Sequence, residues 1–372
     1  MESYKHETGS FTGKGGIEIF FQKWLVEKAK AVIIIVHGLG EHSGRYENLL
    51  RKLSGKKFSV FAIDHRGHGQ SDGKKGHIDS FMDYVYDLKL FLEFIKEENK
   101  GLPVIIYGHS MGGVIAAKYT MTYPDDLSML VLSSPAFKPT VKIPQWKIEL
   151  ASFFSSRISS LPFGNGLSVA DLSHDAEMLS AYENDPFVHK KITARWLVEF
   201  IRAGQECLSG AGSIKKPLLV FHGTEDNIAD YRAAEKFYNS VSSTLKKLFL
   251  YEGLYHETIN EMPQEREKVL AEISGWIIKN IETLVSGEKK VSQVKPAVVK
   301  KPAAKKASPA KKAAVKAKST AKKAPAKKAV VKKAATAAKK PVAKKPAQPA
   351  KKTTTKKSAA KKPAVKKTAK KK

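Results

Sequence analysis

VIIYGHSMGG, residues 104–113, decides the fold. Four apolar or aromatic residues lead into a glycine-flanked serine. A helix-compatible run, VIAAKYTMTY (114–123), follows and must stop ahead of Pro124. Strand, sharp turn and helix form the context in which Gly-x-Ser-x-Gly acquires chemical meaning. Glycines at 108 and 112 are required because side chains there would collide with the neighbouring strand or helix. The turn exposes the Ser110 hydroxyl at the sheet edge. It also sets that oxygen near a helix N-terminus, whose backbone N–H groups favour developing negative charge. Ser110 is the candidate nucleophile.

Working outward, similar short runs recur on both sides. Ala31–Val36 (AVIIIV) reads as a strand buried on both faces, and Phe58–Ile63 as another. Further strands are expected at 104–107, 127–132, 218–221 and 247–251, with helices at 81–96, 114–123 and 266–284. Near-continuous apolar strands alternating with helices indicate a mostly parallel sheet covered on both faces, an α/β architecture. The rhythm breaks over 137–208, which is apolar but shows no strand run. Trp146, Leu150, Phe153, Phe154 and Ile158 there fall largely on one helical face, so this insertion reads as a helical cap over the sheet's C-terminal edge.

Composition divides the chain near residue 288. Of 372 residues, 66 are basic and 36 acidic, a formal net charge of +30. Residues 289–372 hold 32 lysines and no acidic, arginine or aromatic residue, which leaves 34 basic against 36 acidic upstream. The expected organisation is a folded domain at 1–287, with its cap, and a disordered basic tail at 288–372. The one cysteine, Cys207, excludes an internal disulfide framework and reads as a small buried apolar residue. The first twenty residues hold no apolar leader, and no apolar run approaches the length of a bilayer span. A soluble, cytoplasmic setting is expected.

A serine needs a base, and in such a fold the chain order is Ser, then Asp or Glu, then His. His256, on the loop after the last expected strand, is the single histidine beyond His222. The acid should come from the loop of PLLVFHGTEDNIAD (217–230), where Glu225, Asp226 and Asp230 are candidates. Asp226 sits at the loop's tip, and Asp230 suits a helix N-cap. His222, in the strand end, reads as structural. Two N–H donors for an oxyanion are expected from Met111, after the serine, and from Leu39 in the His37-Gly38-Leu39-Gly40 turn. The DHRGHG loop (64–69) precedes the serine in chain order and reads as a brace of the sheet edge. No pair of histidines and carboxylates has metal spacing.

Six blocks together carry a resemblance: HGLGEHSGRYENL (37–49), DHRGHGQSDG (64–73), GHSMGG (108–113), YENDPFVHKKITARW (182–196), HGTEDNIAD (222–230) and YEGLYHETINE (251–261). In this order they resemble monoglyceride lipases and their lysophospholipase relatives, across about residues 17–281. The resemblance implies the α/β-hydrolase fold, Ser110 as nucleophile, Asp226 as acid and His256 as base. It implies oxyanion donors on Leu39 and Met111, an amphipathic cap admitting one acyl chain, a lipid ester substrate and no cofactor. Asn227 and Ala229 depart from the pattern, since relatives often carry a basic and a larger aliphatic residue there.

The tail repeats lysine doublets between alanine, proline, valine and threonine, and resembles linker-histone tails. Like-charge repulsion and prolines keep such a segment extended. Sequence-independent contact with nucleic-acid phosphates is the favoured reading; anionic membrane surfaces and plain solubilisation are the others. The full chain should retard DNA of any sequence, with affinity falling about a thousandfold or more between 50 and 200 mM salt. A chain ending at Glu288 should lose this in the same gel-shift measurement, and tighter binding to anionic vesicles than to DNA would reassign the tail.

Overall fold

AVIIIV forms a strand at the centre of the sheet, and its alternate side chains enter two separate cores. In the computed structural model, which describes residues 4–140, 160 and 162–292, the eight-stranded sheet runs in the order β1-β2-β4-β3-β5-β6-β9-β10. These are β1 (Lys5–Thr12), β2 (Glu18–Leu25), β3 (Ala31–Val36), β4 (Phe58–Ile63), β5 (Val104–His109), β6 (Met129–Ser133), β9 (Leu218–Gly223) and β10 (Lys246–Tyr251). All neighbours from β4 to β10 pair in parallel, and β2 runs against both of its partners.

Val32, Ile34 and Val36 face one core, with helices α2 (Met82–Glu98), α3 (Met111–Thr122), α5 (Ala194–Gly210) and α6 (Tyr231–Ser240). Ala31, Ile33 and Ile35 face the other, with α1 (Glu47–Leu53) and α7 (Pro263–Ser292). A strand covered by helices on both sides has no solvent face, which is why its sequence shows no polar alternation.

The first compact unit spans Met1–Val298, and the second, 299–372, lies outside the described residues, as does everything read from the tail beyond Ser292. Also outside them is the expected helical face carrying Trp146, Leu150, Phe153, Phe154 and Ile158. Two strands went unread at the amino terminus. β1 is mostly exposed and carries almost no apolar residues; β2 buries Ile19 and Phe21. Their register, with stacking of His6 on Trp24 and Phe11 on Phe91, is made by pairing rather than by an apolar run.

The stretch 137–208 also differs from its reading, because it holds two three-residue strands, β7 (Pro162–Gly164) and β8 (Lys191–Thr193), paired antiparallel. Strands so short leave no periodic signal. Helix α4 (Ala176–Asn184) lies between them, N-capped by Asp175. Among the described residues no helix is long and apolar enough to cross a membrane.

The DHRGHG loop does brace the sheet edge. Asp64 accepts from the Ser43 and Gln70 N–H groups at 2.7 and 2.9 Å, and Arg66 forks onto Asp87 at 2.6 and 2.7 Å.

Helix α3 is seated hard against β3. A Cβ on Gly112 would stand 2.0 Å from the Val36 carbonyl oxygen and 2.5 Å from that of His37. Backbone meets backbone here, so nothing can yield. Gly112→Ala should cost about 3 kcal/mol and lower Tm by on the order of 5–10 °C in thermal denaturation.

Candidate active site

Four loops, following β3, β5, β9 and β10, bring the sequence-derived residues to one edge of the sheet, the C-terminal edge where open α/β sheets receive ligands. Ser110 stands between β5 and α3 at φ 53°, ψ −117°, a left-handed conformation that a non-glycine residue adopts at a cost of about 1–3 kcal/mol. The surroundings hold it there. Its N–H donates to the Ser133 carbonyl at 2.9 Å, and its carbonyl accepts from Gly113 and Ala136 at 3.0 and 3.1 Å. Gly108 is needed as well, because a Cβ there would meet the Gly112 carbonyl oxygen at 2.5 Å and the Ala116 methyl at 2.8 Å.

Asp226 and His256 meet in the interior. The His256 Nδ1 is 2.6 Å from the Asp226 Oδ2, and an ionised carboxylate only accepts, so Nδ1 carries the hydrogen and Nε2 keeps its lone pair. Oδ2 also accepts from the His222 Nε2 at 2.8 Å, while Oδ1 takes the Ile228 and Ala229 N–H groups at 2.8 Å each. Burial alone would raise the Asp226 pKa, but His256 and His222 outweigh it and hold the carboxyl below the usual range. Burial likewise pushes His256 down, yet the Asp226 charge prevails and its pKa is raised.

The two loops are stitched together by Thr224 N–H to the Tyr251 carbonyl at 2.9 Å and Glu225 N–H to that of Leu254 at 3.1 Å. Of the other acid candidates, Glu225 is exposed. Asp230 caps α6 through Arg232 N–H at 3.1 Å and pairs with Lys138.

The His37–Gly40 turn packs on the serine: a Cβ on Gly38 would stand 3.2 Å from the Ser110 Cβ. Leu39, Ser110 and Met111 line one cavity of about 250 Å³, walled by Ile192, Trp196, Leu197, Phe200 and Ile228, with Asn165, Ser168, Asp171 and Asn227 as its main polar groups. The insertion reaches this turn directly, since His189 N–H donates to the Gly40 carbonyl at 2.9 Å. Cys207 is buried, its thiol pushed up to about 12 by burial, away from this chemistry. Among the described residues no group of three or more His, Cys, Asp or Glu is arranged to hold a metal ion.

Sequence reasoning gave no role to Glu41, Arg45 and Glu257, two buried carboxylates beside the site and the half-buried guanidinium that joins them. They lie inside the recognised blocks, and the signal available was a carboxylate directly after the histidine.

An open, mostly parallel sheet with a strained serine elbow and a buried Asp–His pair on the following loops defines an α/β-hydrolase-fold serine ester hydrolase. Comparison with known proteins narrows this. The family model described as serine aminopeptidase, S33, matches residues 27–263. The monoacylglycerol lipase of Mycolicibacterium smegmatis is 32% identical over 283 residues, 76% of this chain and 100% of that protein. The human monoglyceride lipase is 31% identical over 68% of this chain and 84% of its own length. The crystal structure of the Paleococcus ferrophilus monoacylglycerol lipase superposes with a TM-score of 0.65 at 30% identity, covering 70% of this chain and 98% of that one. The chain belongs to the monoacylglycerol-lipase-like family of α/β-hydrolases.

Asp226→Asn should cut kcat of p-nitrophenyl ester hydrolysis by about 10⁴, because the amide no longer selects the Nδ1–H tautomer of His256. KM should change little in the same steady-state measurement.

Proposed function

We propose that the chain hydrolyses the carboxylic ester of a single-chain lipid, monoacylglycerol or lysophospholipid, through an acyl-enzyme on Ser110. The observation that carries this reading is the buried 2.6 Å contact between Asp226 and His256 on loops beside the serine elbow. The names of the relatives, lipases of monoacylglycerol from bacteria and human, point to the substrate. The apolar cavity that Ser110 lines suits an acyl chain.

The Nε2 of His256 takes the Ser110 proton as Oγ attacks the ester carbonyl. The oxyanion is received by the Leu39 and Met111 N–H groups, the latter at the first turn of α3. His256, now an imidazolium held by Asp226, returns the proton to the departing glycerol oxygen. Water then enters: His256 removes its proton, the hydroxide attacks the acyl-enzyme, and fatty acid leaves as Ser110 recovers its hydrogen. Each proton taken is returned, and no cofactor is needed. A serine at the elbow disfavours epoxide hydrolase and dehalogenase chemistry, which use an aspartate there. The tail's lysines would tether this activity to nucleic acid through phosphates.

Fatty-acid release from monoacylglycerol and lysophospholipid by wild type and Ser110→Ala tests the reading. Release should be abolished to background, a loss of about 10⁶, in a folded Ser110→Ala protein. A folded wild type that cleaves neither lipid but cleaves thioesters or peptides would overturn the substrate assignment.

A further inference from the structure

Arg45 gathers three parts of the site onto one guanidinium. Its Nη1 and Nη2 fork onto Glu257 Oε1 and Oε2 at 2.7 and 3.0 Å, and Nη1 also reaches Glu41 Oε2 at 3.0 Å. Glu41 Oε1 accepts from the Gly38 N–H, the turn that carries Leu39, and from Tyr46 Oη at 2.9 Å. Glu257 follows His256 directly; its N–H donates to the Leu172 carbonyl of the insertion at 2.8 Å, and Asn260 donates to its Oε2 at 2.8 Å. Helix α4 closes the group, with the Tyr182 ring 4.5 Å from the guanidinium and the Met178 sulfur 3.3 Å from Nη2.

Two buried carboxylates share one cation, so the group carries surplus negative charge. Hydrogen bonds offset part of the cost of burying that surplus, but one guanidinium shared by two carboxylates leaves it without a full counter-charge. The partner arises during turnover. Around His256, Asp226 of the acid loop contacts its Nδ1, with His222 on the same carboxylate oxygen; the negative charges of Glu257, the next residue in its own loop, and Glu41, in the turn after β3, also favour its protonation; and His109 packs on its ring from the end of β5. The His109 ring lies 5.0 Å from the His256 ring; burial and His256 push its pKa down to about 4, so it stays neutral and adds no opposing charge near pH 7.

We propose that Glu257, seconded by Glu41 and gripped by Arg45, is a positioning residue that stabilises the His256 imidazolium alongside Asp226 and straps the Leu39 turn to the base loop. This rests on the proposed Ser110–His256–Asp226 triad. The sign follows from the charges. A carboxylate facing His256 raises its affinity for protons, so removing that charge lowers its pKa.

Glu257→Gln, which keeps the shape and removes the charge, should move the acid limb of the kcat/KM–pH profile to lower pH by about half a unit or more. It should lower kcat about tenfold with KM nearly unchanged. Glu257→Asp, which keeps the charge at a shorter reach, should leave the limb near its wild-type position. Glu41→Gln should shift it in the same direction as Glu257→Gln, and serves if the Glu257 variant does not fold. An acid limb that stays in place or moves upward in folded Gln variants overturns the proposal. Labelling of wild type with a fluorophosphonate separates the two levels. Modification of Ser110 with an unmoved limb removes only this inference, whereas failure to label Ser110 removes the triad reading beneath it.

Discussion

The left-handed turn at Ser110 is the constraint on which the rest of the molecule is built. An L-residue resists φ near +53°, so the conformation persists because its backbone is held by β6, by the first turn of α3 and by Ala136. The helix can start there only if it presses against β3, and that approach leaves no room for a Cβ at Gly112 or Gly108. The same approach carries the turn after β3 to within contact of the serine, so Leu39 and Met111 come to line one cavity. Strain at one residue is thus offset by close packing of several elements.

Around this turn the interior is unusually charged. Asp226 accepts four hydrogen bonds; burial would raise Glu41, but the Arg45 charge and the Gly38 N–H hydrogen bond work against it and hold the carboxyl down at about 2. Both stay ionised far below neutral pH. Buried carboxylates of this kind are expensive unless every lone pair is used. Here the hydrogen bonds come from backbone N–H groups, imidazoles and a guanidinium drawn from loops that are distant in sequence. The result is a set of buried carboxylates on the loops after β3, β9 and β10, beside an apolar cavity lined by Ser110.

Much of this was legible in the residues. AVIIIV, FSVFAI and VIIY announce buried strands, and the structure finds them at the centre of the sheet, the last extended to His109. GHSMGG announces the elbow because only a strand–turn–helix gives that glycine spacing a purpose. Less was legible where pairing, not composition, makes the element. KHETGSFT has no apolar run and becomes β1 only because β2 lies beside it, and β7 and β8 are too short for any periodic signal. The choice among Glu225, Asp226 and Asp230 was open on local grounds, since three carboxylates within six residues look alike until one of them faces a histidine thirty residues on.

The sequence by itself determined the class of fold, the serine turn and the chain order of the groups that would serve it, because those depend on local periodicity and on the steric demands of two glycines. Only the tertiary structure decided that Asp226 takes both His222 and His256 and that Arg45 binds Glu41 and Glu257, whereas the capping of α6 by Asp230 was already legible in the sequence. The physical reason is that charge interactions are set by distance and burial. Residues 41, 45 and 257 become neighbours only when β3 and β10, strands apart in the sheet, deliver their loops to the same edge.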